Sequence, residues 1–276
     1  MIKLLSANLL RLKKSILFWG LLLVSFGFGL FTVYTELRDR TNYGIAVQVD
    51  SILFFYAITI GLFSAVFVSL FFGTEYSDGT IRNKIIAGHS RWQIYLVNLL
   101  TGYAVTVLST AATLLAVLAV GVPLIGGWTV PAGAFALNLL GSLGMEAAFC
   151  AIFTLIAMNC SKKSLAAVSS LLLFFALMMA MAYVDARLDA PEFIQGYELS
   201  VGGQVVESEP EANPKYLRGG ERKLYEFAYD LLPTGQARQY TTMTVPRPAR
   251  LAVCSAALTA GFTALGIALF RKKDLK

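Results

Sequence analysis

The stretch FGTEYSDGTIRNKIIAGHSRWQIYLVNLL, from Phe72 to Leu100, decides the fold. One apolar run precedes it, from Ser51 to Phe72, and another overlaps its end, from Gln93 to Val120. Each is long enough to cross a hydrocarbon layer roughly 30 Å thick at about 1.5 Å per helical residue. The polar segment between them, 73–91, is therefore where the chain leaves a membrane, turns and goes back in. Inside it, Asp78 is expected to cap a short helix by accepting from the free N–H groups of the first turn. Gly88 is placed for the left-handed residue that ends it. Ile81 and Ile85 fall four apart on one face with Ile86 beside them, while Arg82, Asn83 and Lys84 point elsewhere. The pattern predicts a small apolar ridge flanked by cationic donors, suited to gripping another protein. Ser90 with Gln93 three residues on forms a capping-box pattern at the start of the next span.

Working outward, the whole chain has the same character. It is 57% hydrophobic and 14% charged, against roughly 25% charged in an ordinary soluble domain. Its apolar residues come in long blocks rather than in amphipathic alternation. This is an all-α polytopic membrane protein, with six spans expected at Ser15–Tyr34, Ser51–Phe72, Gln93–Val120, Ala132–Met158, Leu165–Tyr183 and Ala249–Phe270. No internal repeat and no soluble domain interrupts them, so residues 1–276 read as a single membrane unit.

Lysine and arginine set the orientation. Lys3, Arg11, Lys13 and Lys14 precede the first span; Arg82, Lys84 and Arg91 sit in the polar turn; Lys162 and Lys163 lie in the fourth connection; Arg271, Lys272, Lys273 and Lys276 form the tail. The opposite side has Arg38 and Arg40 in its first short loop and none from Gly121 to Pro131. Both termini are therefore expected in the cytoplasm. The net charge of +6 reads as topology and contact with anionic lipid, with no reason to invoke nucleic acid. Cys150 and Cys254 fall inside spans and Cys160 at a cytoplasmic end, which argues against a disulfide framework.

Two segments outside the spans stand out. Residues 1–14 place Ile2, Leu5, Leu9 and Leu12 on one stripe and Lys3, Arg11 and Lys14 on the other, the pattern of a helix lying in the membrane surface. Residues 184–248 form a disproportionate outer loop before the last span. Its first half, including VESEPEANP (Val205–Pro214), reads as an irregular excursion. Its second half, ERKLYEFAYDLL (Glu221–Leu232), has helical spacing and is stopped by Pro233.

The chemistry that is missing narrows the function. No Gly-Lys dipeptide occurs, so there is no phosphate-binding loop of the usual ATPase kind. The single histidine, His89, rules out an HExxH zinc site and leaves no histidine within the membrane as a base. No span carries a regular arginine series. One ionisable residue does lie deep in a span. Glu146 is either a polar element of a translocation path or a protonated, hydrogen-bonded packing contact facing the bundle interior.

The polar turn, with Gly73, Glu75, Gly79, Thr80, Ile81, Arg82, Asn83, Lys84, Gly88, Ser90 and Arg91 and continuing into Ile94, Tyr95 and Leu96, resembles the intracellular segment of ABC-2 type transporter permeases. NPKYL (Asn213–Leu217), YDLLPTGQ (Tyr229–Gln236) and the FRKKDLK ending from Phe270 resemble one bacterial group of that family. The resemblance implies a half-transporter with six helices and an interfacial amino-terminal helix in a bacterial cytoplasmic membrane. It would pair with a second permease subunit, identical or not, and with two separate ATP-binding subunits that hold ATP and Mg. This chain itself would need no cofactor and would catalyse nothing. The segment around Glu75, Asp78, Gly79, Thr80, Ile81, Arg82, Asn83, Lys84, Ile85 and Gly88 would be the coupling element that sits in a groove of the ATPase. Family members mostly move amphipathic cargo outward, and the outer loop here is larger than in the better described members. The competing reading is a membrane sensor or scaffold that reports an extracellular peptide through that loop.

Overall fold

The computed structural model describes the chain apart from residues 45–47, 195–197, 202–203, 208–209 and 275–276, and apart from the side chains of 198–201 and 204–207. Lys276 of the basic tail and Ser208 and Glu209 of the outer excursion thus lie outside the described residues. Among the described residues, six helices are long and apolar enough to cross a membrane.

The first helix, α1 (Ile2–Lys13), leads directly into the span α2 (Ile16–Tyr43). A 3-10 turn at Val49–Ile52 precedes α3 (Tyr56–Ser77), and the short α4 (Thr80–Ile86) fills the polar turn. The next span runs through α5 (Arg91–Ala116), a π turn at Val117–Gly121 and α6 (Val122–Ile125). Then come α7 (Ala132–Asn159) and α8 (Lys163–Leu188). The outer loop holds four short strands, two helices α9 (Gly219–Leu231) and α10 (Pro233–Thr241), and the chain ends on α11 (Pro248–Lys272).

Apolar blocks located the spans, but polar helix formers extended them. α2 runs nine residues beyond the expected Tyr34, because Glu36–Arg40 keeps helical geometry outside the apolar layer until Gly44 ends it at φ 64°. The second run starts later as α-helix than expected, since Ser51 belongs to the 3-10 turn and the α-helix begins at Tyr56. The bundle is layered. α3, α5 and α7 are buried on most sides and contribute large core residues such as Tyr56, Phe67, Phe72, Tyr95, Phe149 and Phe153, while α2, α8 and α11 lie around them with apolar residues facing outward, among them Ile16, Leu23, Leu172, Met179 and Val253. In water such faces would be a large unpartnered apolar surface; in a bilayer they are the surface the lipid requires.

The amino-terminal helix expected over 1–14 forms at Ile2–Lys13, and of its Ile2, Leu5, Leu9 and Leu12 stripe Leu12 is buried. Leu4, Asn8 and Leu12 are its buried residues, packed towards α5, whereas Ile2 and Leu9 remain exposed. Two sequence expectations are corrected. Four short pieces of the expected irregular excursion are strands: Phe193–Ile194 (β1) pairs antiparallel with Glu211–Ala212 (β4), and Glu198–Val201 (β2) with Gln204–Glu207 (β3). Finally, the outer loop is not wholly outside the bundle. α10 is buried at Pro233, Thr234, Gly235, Gln236, Ala237, Gln239, Tyr240 and Thr241, and it packs among α3, α7 and α8. Thr234 Oγ1 donates to the carbonyl of Leu177 at 2.8 Å, and Thr241 Oγ1 to that of Phe54 at 3.2 Å. A Cβ on Gly141 would overlap the Tyr240 phenol. Gly141 lies nine residues into α7, roughly 13 Å from that helix's outer end. α10 is thus a short plug set among the spans. Its polar side chains are tolerated there because protein groups surround and bond them.

Candidate functional site

The polar turn becomes an elbow between two spans. α3 ends at Ser77, and Asp78 does not cap α4: it continues the α3 backbone at φ −90°, and the N-cap is Gly79 at φ 67° with no side-chain cap bond. The left-handed geometry reverses the chain here, and it favours glycine because a Cβ is strained at such φ. Thr80 Oγ1 donates to the Glu75 carbonyl at 3.2 Å, which ties the start of α4 back to α3. Gly88, at φ 85°, follows the C-cap Ala87 as expected, and the Ser90 N–H donates to Gln93 Oε1 at 3.3 Å at the start of α5.

The expected ridge on α4 divides in two. Ile81 is buried in this chain's own core and Ile85 is packed against that core, while Ile86 is 76% exposed. Arg82 and Asn83 are exposed with it, as are Asp78 and Gly79. Lys84 turns inward. Its Nζ donates to Glu75 Oε1 at 2.6 Å and to Asn8 Oδ1 at 3.1 Å. The free surface of α4 itself is therefore Arg82, Asn83 and Ile86.

Behind that surface lies a buried polar knot centred on Glu75, 1% exposed. Its Oε1 accepts from Arg11 Nη1 at 2.5 Å as well as from Lys84, and its Oε2 accepts from Asn98 Nδ2 at 2.9 Å. Asn8 Nδ2 donates to Asn98 Oδ1 at 2.8 Å and to Thr101 Oγ1 at 3.2 Å. Arg11 also donates to the Phe71 carbonyl and stacks 4.0 Å over the Phe71 ring. A carboxylate can be buried here because two cations and an amide use both of its oxygens. The knot joins α1, α3, α4 and α5, so α4 cannot shift without moving the inner ends of two spans and the amino-terminal helix. Neither Asn8 nor Asn98 has a local sequence signature that pairs it with Glu75.

Beside α4 the tail closes a cleft of about 400 Å³ lined by Glu75, Tyr76, Ile81, Arg82, Lys273 and Asp274. Arg91 Nη1 donates to the carbonyls of Phe270, Arg271 and Lys273 at 3.0, 2.9 and 2.6 Å, satisfying the end of α11. Lys273 sits 3.9 Å over the Tyr76 ring. Burial lowers its ammonium to about 8, against a smaller upward pull from Cys160.

Glu146 faces the bundle interior and is 0% exposed. Its Oε1 accepts from Thr110 Oγ1 at 2.7 Å, and Oε2 has no partner. It belongs to a buried stripe along α7 formed by Ser142, Glu146, Cys150, Thr154 and Met158 at intervals of four. Ser142 Oγ bonds the Tyr56 hydroxyl at 2.7 Å. At the other end Met158 Sδ accepts from Asn98 at 3.3 Å, and the Met158 carbonyl accepts from the Tyr76 hydroxyl. The stripe therefore runs from beneath the plug to the Glu75 knot.

The plug has its own ionic collar. Asp230, 1% exposed, pairs with Arg247 at 3.1 Å and Arg250 at 2.9 Å and accepts from Gln239 Nε2 at 3.0 Å. Gln236 Nε2 donates to the Asp230 carbonyl, and Ser255 Oγ donates to Gln236 Oε1 at 2.6 Å. Tyr229 donates to Asp185 Oδ1 at 2.6 Å; burial first, then this carboxylate, raises its pKa. In the sequence this region was marked by the helical spacing of Glu221–Leu232 and by the YDLLPTGQ match.

A two-helix elbow locked by a buried carboxylate, set between spans of a six-span bundle, is what the sequence comparison then puts in context. A family model described as ABC-2 family transporter protein matches residues 13–275. The chain belongs to the ABC-2 transporter family. It is a multi-pass membrane protein and the permease type of subunit of an ABC transporter, a part that is not itself catalytic. No curated protein matches it. Among the described residues no group of three His, Cys, Asp or Glu side chains is placed to hold a metal.

Proposed function

We propose that this ABC-2 permease subunit serves an exporter driven by a separate ATP-binding subunit that docks on the α4 elbow. The supporting observation is the Glu75 knot, which makes α4 a stiff lever on three helices rather than a loose loop. In this reading Arg82, Asn83 and Ile86 are the docking surface, and the cleft beside Lys273 takes a side chain of the partner. Glu75, Asn8, Arg11, Ile81 and Lys84 act behind that surface by transmitting its displacement. Thr80 and Gly79 fix the elbow's angle. ATP and Mg belong to the partner, and a second permease subunit completes the pathway at the exposed outer faces of the bundle. Glu146 bears on transport through the α7 stripe and not as an open wall of the path, since it is sealed from solvent in the single subunit. Both termini lie on the cytoplasmic side.

The test is co-expression with the ATP-binding subunit and purification through the permease. Ile86→Asp with Arg82→Glu removes an apolar contact worth about 1.5–3 kcal/mol and reverses a charge. Docking should weaken by a factor of at least about 10 with membrane insertion unchanged. Full stoichiometric co-purification with wild-type cargo-stimulated hydrolysis would sink the coupling role and favour the sensor reading.

A further inference from the structure

Between the α1–α2 junction with the first turns of α2 and α3 lies a groove of about 920 Å³ that nothing above accounts for. Its walls are apolar: Leu17, Leu21 and Val24 from α2 face Phe63, Val66 and Leu70 from α3. At one end the character changes. Arg11, Lys14 and Lys163 rim the opening, with Asp78 the one acidic side chain among the lining residues. Lys14 and Lys163 are exposed, and the backbone of Lys163 is held against α3, where a Cβ on Gly73 would lie 3.0 Å from it. Arg11 spends its guanidinium partly on Glu75 and the Phe71 carbonyl. The first turn of α2 at Ser15–Leu17 opens onto the same rim, and it has no acidic residue and no side-chain cap.

We infer that this groove binds an acidic diacyl phospholipid from the leaflet that carries the chain termini. The division of chemistry carries the assignment. A cationic rim beside the end of an uncapped helix matches a phosphate headgroup. The slot beneath it offers an acyl chain contact on two sides instead of one, within the size range of ligand sites of roughly 300–1,000 Å³. A second protein copy would need its own apolar helix to sit against Lys14 and Lys163, leaving these cations desolvated. A lipid phosphate pairs with them. The site adjoins the Glu75 knot through Arg11, so its occupancy bears on how firmly α1 is held, independently of which partner drives the elbow.

The purified full-length chain should be examined by native mass spectrometry with dioleoyl phosphatidylglycerol and dioleoyl phosphatidylcholine added in equal amounts. The wild type should retain phosphatidylglycerol with roughly tenfold preference. Lys14→Gln with Lys163→Gln should reduce that preference to near unity. Gly20→Phe is the steric probe. Gly20 lines the groove with open space around its Cβ position, so the new ring fills the slot without overlapping the protein. It should lower retention of both lipids. Equal retention of the two lipids by the wild type, or a preference that survives both variants, would overturn the assignment. So would a disulfide-linked dimer formed by Val24→Cys in a chain whose three native cysteines are replaced by alanine, which would make the occupant a second copy.

Discussion

At the scale of single residues, the decisive group is Glu75. A carboxylate removed from water is tolerable only while both partners remain, and deleting it strands Lys84 inside the protein. Breaking a buried pair costs about 3–5 kcal/mol when the remaining charge cannot escape. Arg11, whose side chain is 31% exposed, can turn partly to solvent, so the lower end applies. Glu75→Ala is expected to lower the thermal midpoint markedly, while the double change Glu75→Gln with Lys84→Met, which removes both charges, recovers most of the loss. If single and double variants melt alike, the knot contributes no specific coupling. Glu146 behaves differently. With one hydrogen bond and one unpartnered oxygen, it gains about 1 kcal/mol from Thr110, no more than the roughly 1–3 kcal/mol that an unsatisfied buried polar atom costs. Glu146→Leu should therefore melt no lower than wild type, and yet reduce export because the stripe loses its polar link. A lower melting point with normal export would reverse that assignment. The sequence marked Glu146 by its depth in a span, and Glu75 only through the family resemblance. It could not show that Glu75 meets Arg11 and Asn98, because partners 64 and 23 residues away leave no local period.

At the scale of elements, the sequence was most legible where local physics decides. Uninterrupted apolar runs located every span, Gly88 ended α4 where a left-handed residue was needed, and Gln93 took its capping role. It was least legible where tertiary packing overrode local character. PTGQARQYT is polar throughout and reads as exposed loop, yet α10 is buried because its hydroxyl and amide groups bond the carbonyls of surrounding helices. Asp78 was the natural cap by residue type, but the reversal between α3 and α4 required positive φ one residue later, at Gly79. Likewise, four-residue spacing grouped Ile81 with Ile85 but could not say that this face points into the bundle and Ile86 away from it. The fit of α10 gives a direct prediction. Gly141→Val should drive the new side chain into Tyr240, costing about 1–3 kcal/mol as overpacking. Adding Tyr240→Ala should restore part of it, as measured by thermal unfolding in detergent. Additive losses in the double variant would mean the two positions do not meet.

For the molecule as a whole, the charges expected on one side do gather at one end. α1, α4, the start of α8 and the tail meet there through Arg11, Lys84, Gly73 against Lys163, and Arg91. The positive-inside bias is the ground for proposing that this end faces the cytoplasm. In a background with Cys150, Cys160 and Cys254 replaced by alanine, Lys215→Cys should react with an impermeant thiol reagent in intact cells, and Asn83→Cys only after permeabilisation. Both positions are exposed, so accessibility does not confuse the result. Labelling of Asn83→Cys from outside would invert the arrangement.

The buried plug also dictates an order of events during biosynthesis. α10 has nine residues, about 13 Å of helix, too short and too polar to enter a bilayer by itself. It can only slide into a socket whose walls are already standing. One wall, α3, is complete at Ser77, 156 residues before the plug begins at Pro233, or roughly 8–30 s earlier at a ribosome's pace. Until α10 arrives, the carbonyl of Phe54 and, once α8 is made, that of Leu177 lack the hydroxyl donors that α10 brings. Nascent chains stopped before residue 233 should be degraded far faster than chains stopped after 241, which makes the seating of α10 a late step of the protein's assembly.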